Sequence, residues 1–189
     1  MTYYTFFFIY FYGDRMYLIA NGGIGLISNT SDAIMLTKNL PYIDGIKIDV
    51  RMSLDNVLVL SSFNELFHLT FSNKKVTEVN YDYLKKVKFQ SHIFKYYIPT
   101  LDEILKKYSK DKIIILELHE EERINSFIQK LIHIISQYSY NYYFYSTNNL
   151  LLESLKDYGT IIKEYYHKQS DIMTDKFIIS NNPLKYLRQ

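Results

Sequence analysis

Glu117 interrupts an otherwise aliphatic run, Ile113-Ile114-Ile115-Leu116-Glu117-Leu118, and an ionised carboxylate in such a strand needs a partner to offset its loss of water. Asp49, inside Gly45-Ile46-Lys47-Ile48-Asp49-Val50, makes the same demand. Lys47 and Asp49 are two positions apart, so on a strand their side chains leave the same face. Carboxylates and imidazoles are the groups that exchange protons or hold a cation, which makes Asp49, Glu117 and His119 the candidates for such chemistry. Taken alone, His119 reads as a hydrogen-bonded histidine near a strand terminus. His68, His92, His133 and His167 show no metal-ligand spacing among themselves and read as surface or internally satisfied residues. Gly22-Gly23-Ile24-Gly25 is neither a P-loop nor a dinucleotide fingerprint, and a tight strand-to-loop turn accounts for it.

A chain of 189 residues, 48% of them apolar, can bury one substantial core and little more, so these groups belong to a single domain. The formal charge of +2 is too small to imply nucleic acid as a partner. Lys74, Lys75, Lys85, Lys86 and Lys88 read as a solvated face. The absence of cysteine excludes disulfides, thiolate metal sites and a cysteine nucleophile, and fits a reducing, cytoplasmic setting. Twenty tyrosines and no tryptophan reflect compositional drift. The aromatic run Tyr3–Tyr12 is far shorter than the roughly 20 residues of a spanning helix. It also lacks a basic n-region and a cleavage site, so neither a transmembrane segment nor a secretory signal is expected. Residues 1–16 are therefore read as an aromatic extension, an extra strand or plug across one end of the fold, and 17–189 as the domain.

Positioning the charged groups falls to alternating strands and helices, the pattern of an α/β fold with a largely parallel sheet. Strands are expected at Tyr17–Ala20, Gly45–Val50, Val57–Leu60, Lys112–Leu118, Tyr142–Tyr145, Thr160–Lys163 and Asp171–Thr174. In Glu121–Tyr138, Ile124, Phe127, Ile128, Leu131, Ile132 and Ile135 form a single apolar stripe that must pack on the sheet. Thr100-Leu101-Asp102-Glu103 is a capping-box start for a helix over Leu101–Tyr108. Ser31–Asn39 and Asn149–Tyr158 are further crossover helices, and Asn182-Pro183 offers an N-cap with proline at the first helical position. Arg51 to Asn56 is too short for a crossover and carries the Asp55-Asn56 of a tight turn, so this link should be hairpin-like. Ser61–Tyr97 is a long, polar, lysine-rich excursion with one short helix near Asp82–Lys88, suited to lying over an active face.

Several stretches follow one another in a telling order. They are Ile19-Ala20-Asn21-Gly22-Gly23, Ile27-Ser28-Asn29-Thr30, Asp44-Gly45-Ile46-Lys47-Ile48-Asp49-Val50-Arg51, Asp55 to Phe63, Ile98-Pro99-Thr100-Leu101-Asp102-Glu103-Ile104-Leu105, Leu116-Glu117-Leu118-His119 and Asp171-Ile172-Met173-Thr174-Asp175. In order and spacing they resemble the glycerophosphodiester phosphodiesterase family, whose corresponding stretches read Ile-Ala-His-Arg-Gly, Pro-Glu-Asn-Thr, Asp-Gly-Ile-Glu-Leu-Asp-Val-Arg, Asp-Gly-Val-Pro-Val-Val-Phe-His-Asp, Ile-Pro-Thr-Leu-Glu-Glu-Val-Leu, Ile-Glu-Ile-Lys and Asp-Gly-Ile-Ile-Thr-Asp. The likeness covers Leu18 to Leu118 well and the remainder thinly. It implies a TIM-type (β/α) barrel acting on glycerophosphodiesters with a divalent metal. Such barrels typically need about 250 residues, so a shortened, incomplete barrel with reduced β/α units after Tyr145 is expected.

The same resemblance implies two catalytic histidines, and this chain has Asn21 and Ser62 in their places. Neither exchanges a proton near neutral pH, and each lost acid or base is worth about 10²–10⁴ in rate. Of the three implied metal carboxylates, Asp49 and Glu117 survive and the first is Lys47. An ammonium there opposes a divalent cation, by about 4 kcal/mol for unit charges near ~4 Å at effective ε ~20. Lys47 is therefore expected to stand in for the ion. Gly22 replaces the family's arginine, and His119 stands at its lysine. The expectation is a catalytically inactive domain of a family in lipid metabolism. Its pocket would comprise Asn21, Lys47, Asp49, Ser62, Glu117 and His119 and would bind a small phosphorylated or polyol ligand or a protein partner, without a cofactor. The alternatives are an active phosphoric diester hydrolase, with Mg or Ca on Asp49 and Glu117 and a base such as His68, and a structural protein docking through its aromatic N-terminus.

Overall fold

The structure is a computed structural model and describes residues 10–11, 14–24, 27–68, 72–87, 97–108, 110–163, 166–168, 171–174 and 176–187. Two short strands, β1 (Tyr10–Phe11) and β2 (Asp14–Arg15), pair with each other antiparallel and stand apart from the main sheet. Most of the N-terminal aromatic run lies outside the described residues.

The main sheet contains β3 (Tyr17–Asn21), β4 (Gly45–Met52), β5 (Leu58–Leu60), β6 (Ile113–Leu118), β7 (Asn141–Tyr145), β8 (Thr160–Ile161), β9 (Tyr166–Lys168), β10 (Asp171–Met173) and β11 (Phe177–Ser180). Its order is β8-β7-β6-β4-β3-β11-β10-β9, with β5 pairing off this path on β4. Ladders from β8 through β11 by way of β3 are all parallel. The crossovers carry α1 (Ser31–Lys38), α2 (Tyr81–Leu84), α3 (Leu101–Lys107), α4 (Ile124–Ile135) and α5 (Asn149–Glu153). The sheet curls into a half-barrel, and among the described residues its end strands β8 and β9 share no ladder. The expected incomplete barrel is thus the observed one.

Strand alternation sorts the sheet into two faces. Ile46, Ile48, Val50 and Met52 of β4 and Ile114, Leu116 and Leu118 of β6 pack outward on the helices, against Phe127, Leu131 and Ile135 of α4 and Leu101, Ile104 and Leu105 of α3. The inner face carries Ile19, Ile113, Ile115, Phe177 and Ile179, joined by Ile162. Above that apolar layer, toward the C-terminal strand ends, the inward positions are the charged ones. The capping box forms as expected: Thr100 Oγ1 accepts from Glu103 N at 3.1 Å and Glu103 Oε2 accepts from Thr100 N at 3.1 Å.

Two expectations are corrected and one strand is added. The helix expected from Glu121 begins at Ile124, because the buried Glu120 carboxylate accepts from Glu122 N and Arg123 N, both at 3.1 Å, and holds them in a turn. The Ser61–Tyr97 excursion, read as polar, has its own small core of Val59, Leu66, Val76, Val79, Leu84 and Ile98. Its apolar residues are spaced singly, so no periodicity announces them. The expected strand at Asp171–Thr174 forms as Asp171–Met173, antiparallel to both neighbours, and a strand that was not expected, Phe177–Ser180, lies parallel on β3. Both are short apolar runs, which periodicity cannot rank. The hairpin-like link holds, with β5 antiparallel to β4 and Asn56 at φ 60°.

Candidate functional site

Register brings the charged groups together. In the parallel β4–β6 ladder Asp49 sits opposite Glu117 and Lys47 opposite Ile115, while on the other side Asn21 of β3 sits opposite Lys47. The Lys47 ammonium reaches both carboxylates, contacting Glu117 Oε2 and lying 3.1 Å from Asp49 Oδ1. His119, just past the end of β6, is anchored by its own N–H to Val50 O at 3.0 Å. Its Nε2 lies 3.1 Å from Asp49 Oδ1 and 3.6 Å from Glu117 Oε1.

A second set of contacts comes from the loop after β3. Gly22 (φ 69°) and Gly23 (φ 89°) turn the chain sharply, and a side chain at Gly23 would stand 2.5 Å from the carbonyl carbon of Ala33. The Gly22 N–H donates to Lys47 O, and Gly22 O accepts from Asn29 N, both at 2.7 Å. This places Asn29, itself left-handed at φ 60°, directly against Asp49. Asn29 Nδ2 donates to Asp49 Oδ2 and to Ser62 Oγ at 2.7 Å each, and its Oδ1 accepts from Asp49 N at 3.0 Å. Ser62 Oγ also lies 3.5 Å from Asp49 Oδ2 and 3.3 Å from Ser28 Oγ. Arg51 donates to Ser61 O at 3.1 Å and Ser62 O at 3.2 Å, fixing the segment that carries Ser62.

Of the six expected pocket residues, Lys47, Asp49, Ser62, Glu117 and His119 share this network. Asn21 turns aside and donates to Asn181 Oδ1 at 2.9 Å, tying the end of β3 to the end of β11. Asn29, the hub of the polar contacts, stood in the sequence only as part of a family-like Ser28-Asn29-Thr30 stretch. Arg51 likewise stood only at the end of a family-like stretch, and Asn181 carried no signal. The side chains of His68 and His167, and all of His92, lie outside the described residues, and His133 is exposed on α4.

Burial works against the charge on each partner, and the network overcomes it. The Asp49 carboxyl is penalised by desolvation, yet the His119 hydrogen bond, the Lys47 charge and the Asn29 hydrogen bond hold its pKa well below the carboxylate range. Desolvation likewise opposes the Lys47 ammonium, but the charges of Asp49 and Glu117 raise its pKa above the ordinary lysine value. Arg51 moves the other way, lowered chiefly by burial. The Lys47 ammonium is engaged by the two carboxylates that it contacts, so its charge is not free for a phosphate.

By donor type the oxygens of Asp49 and Glu117 and the imidazole of His119 suit a divalent ion, and their ligand atoms lie within 4.8 Å of one another. The ammonium that contacts both carboxylates takes the same coordination space and repels a cation. The residues present therefore do not fit a divalent ion alongside Lys47. Beneath it, a small space of about 10 Å³ lies among Lys47, Glu117, Tyr145, Ile162, Thr174 and Ile179. The roomy space is lateral. A cleft of about 610 Å³ runs between the excursion and the ends of β6 and β7, with Arg51, Asn64, Thr77, His119, Glu120 and Asn148 on its walls. Only His119 belongs both to the expected pocket and to this cleft.

Solved phosphodiesterase structures bear out the parallel half-barrel fold. The chain matches a phosphodiesterase from Oleispira antarctica, solved with the product sn-glycerol-3-phosphate, with a TM-score of 0.68 at 23% identity over 75% of this chain and 62% of that one. A glycerophosphodiester phosphodiesterase from Thermotoga maritima matches with a TM-score of 0.66 at 24% identity, over 81% of this chain and 65% of that one. One from Agrobacterium tumefaciens gives 0.60 at 18%, over 76% and 63%. The chain thus spans less than two thirds of the length of these structures. No family model matches the sequence, and no curated protein does. Among the described residues no helix is long and apolar enough to cross a membrane.

Proposed function

We propose that this chain is a non-hydrolytic, metal-independent domain of glycerophosphodiester phosphodiesterase fold that binds a small polar ligand. The observation that carries the reading is the Lys47 ammonium seated between Asp49 and Glu117. It joins Asn21 and Ser62, which stand where the sequence resemblance implies histidines and can neither take a proton from a nucleophile nor return one to a leaving alkoxide. The ligand class follows from the lateral cleft, which is rich in hydroxyl, amide and carboxylate groups. A polyol, free or phosphorylated, is the proposed occupant, consistent with the glycerol phosphate held by the Oleispira antarctica structure.

The test is direct. Purified protein incubated with glycerophosphocholine and magnesium or calcium should release no choline above a protein-free control. A chelator should leave its thermal midpoint unchanged. Chelator-sensitive release that disappears in Glu117→Gln would establish the alternative, an active hydrolase built on Asp49, Glu117 and His119. That second reading draws on the donor cluster and the 3.1 Å contact between His119 and Asp49.

A further inference from the structure

We infer that Lys47 is a tethered cation, and that replacing it with an uncharged side chain turns Asp49, Glu117 and His119 into a divalent-metal site. The inference rests on reading the hub as metal-independent, and it concerns what the ammonium is holding closed. Asp49 Oδ1 is the shared point of the cluster, facing both the ammonium and His119 Nε2 at 3.1 Å. Glu117 presents one oxygen to the ammonium and the other to the imidazole. Without the ammonium these residues stay side by side, because each is held from outside the cluster, Asp49 through its side chain and the other two through their backbones. Asn29 grips Asp49 through its other oxygen and its backbone N–H, at 2.7 and 3.0 Å. His119 hangs from Val50 O, and Glu117 is fixed by ladders on both sides of β6. Such outside support orients the ligands of metal sites generally.

The energetics point the same way. A buried carboxylate, Asp49, facing a partly buried one, Glu117, is stabilised by a cation between them. In this chain the cation is covalent and always present, at the cost of excluding any other. Remove it and the pair is left to take up a proton or a metal ion from solution, and the donor set is open to the latter. Two carboxylate oxygens and one imidazole form a donor set that suits Mn²⁺, and Mn²⁺ is readily followed by electron paramagnetic resonance.

The experiment titrates Mn²⁺ into wild type, Lys47→Met and Lys47→Met combined with Glu117→Gln, read by calorimetry, paramagnetic resonance and thermal unfolding. Wild type should show no saturable binding at millimolar Mn²⁺. Lys47→Met should bind one ion at least about 100-fold more tightly than wild type, given the charge repulsion removed. Its thermal midpoint should rise with Mn²⁺, and the double variant should lose both effects. A Lys47→Met chain that is unfolded alone and folds on adding Mn²⁺ supports the inference equally. Lys47→Gln, which keeps a donor toward the carboxylates, carries the same expectation. One Mn²⁺ bound by wild type at micromolar affinity overturns the inference, as do folded Lys47→Met and Lys47→Gln chains that bind none. Variants that stay unfolded at millimolar Mn²⁺ overturn it as well. Turnover of glycerophosphocholine in the presence of a chelator would sink the non-hydrolytic reading and leave this inference standing, so the two fail separately.

Discussion

Asp49 makes more polar contacts than any other residue of the hub, meeting Lys47, His119, Asn29 and Ser62, and its loss should be felt across all of them. Breaking a buried pair by removing one partner typically costs about 3–5 kcal/mol, so Asp49→Asn should lower the urea-unfolding free energy at pH 7 by that order. The pH dependence has a definite sign. The folded-state pKa of Asp49 is depressed, so its contribution is complete above the unfolded value of 3.8 and is lost as pH falls through the folded value. The folded-state pKa of Lys47 is raised, so its contribution is complete below 10.5 and is lost as pH rises through the folded value. Wild type should therefore lose its advantage over Asp49→Asn progressively below pH ~4, and a gap that stays constant down to pH ~2 would contradict the pairing.

At the scale of elements, two junctions hold the site in place. The turn after β3 needs a residue without a β-carbon at Gly23, where φ is 89° and a methyl group would meet the Ala33 carbonyl oxygen at 2.6 Å. Gly23→Ala should cost about 1–3 kcal/mol in thermal or urea unfolding, and it should displace Asn29 from Asp49. The other junction is Arg123, whose guanidinium donates to Met52 O at 3.0 Å and Ser53 O at 2.9 Å and so fastens the start of α4 to the β4–β5 hairpin. Arg123→Ala should destabilise by about 2–3 kcal/mol, the scale of hydrogen bonds to a charged donor. Arg123→Lys should rescue little, because a single ammonium does not reproduce the fork. Neither junction could be read from hydrophobic period. Glu121–Arg123 continue a helix-compatible stretch, and the Glu120 carboxylate, which accepts from Glu122 N and Arg123 N, together with the hairpin carbonyls that hold the Arg123 guanidinium, makes them a turn instead.

Across the whole molecule, the half-barrel depends on contact between its first and last parallel strands. Phe177 of β11 is buried beside Tyr17 of β3, with ring centroids 6.1 Å apart, and meets Tyr143 of β7 edge-on at 4.8 Å. It therefore links three strands across the inner face. Phe177→Ala should lower stability by about 3–5 kcal/mol while leaving a single unfolding transition by circular dichroism and fluorescence. Two separated transitions would show that the strands after β8 form a unit of their own. Ile162 and Tyr145 border the small space beneath Lys47, and the roomier cleft beside the sheet meets the hub at His119.

Local pattern was enough to determine several features from the sequence alone. Period-two alternation puts Lys47 and Asp49 on one strand face, the capping box at Thr100 starts α3, and Asp55-Asn56 makes the hairpin. Residue type alone removes proton transfer from positions 21 and 62. All of these depend on residues within a few positions of one another. Tertiary structure alone decided which partner each charge meets, that Asn29 rather than Asn21 holds Asp49, that the excursion has a core, and that Phe177–Ser180 returns to β3. Those outcomes turn on strand register and on contacts between residues twenty to one hundred and sixty positions apart, where many pairings are compatible with one local pattern and packing selects among them.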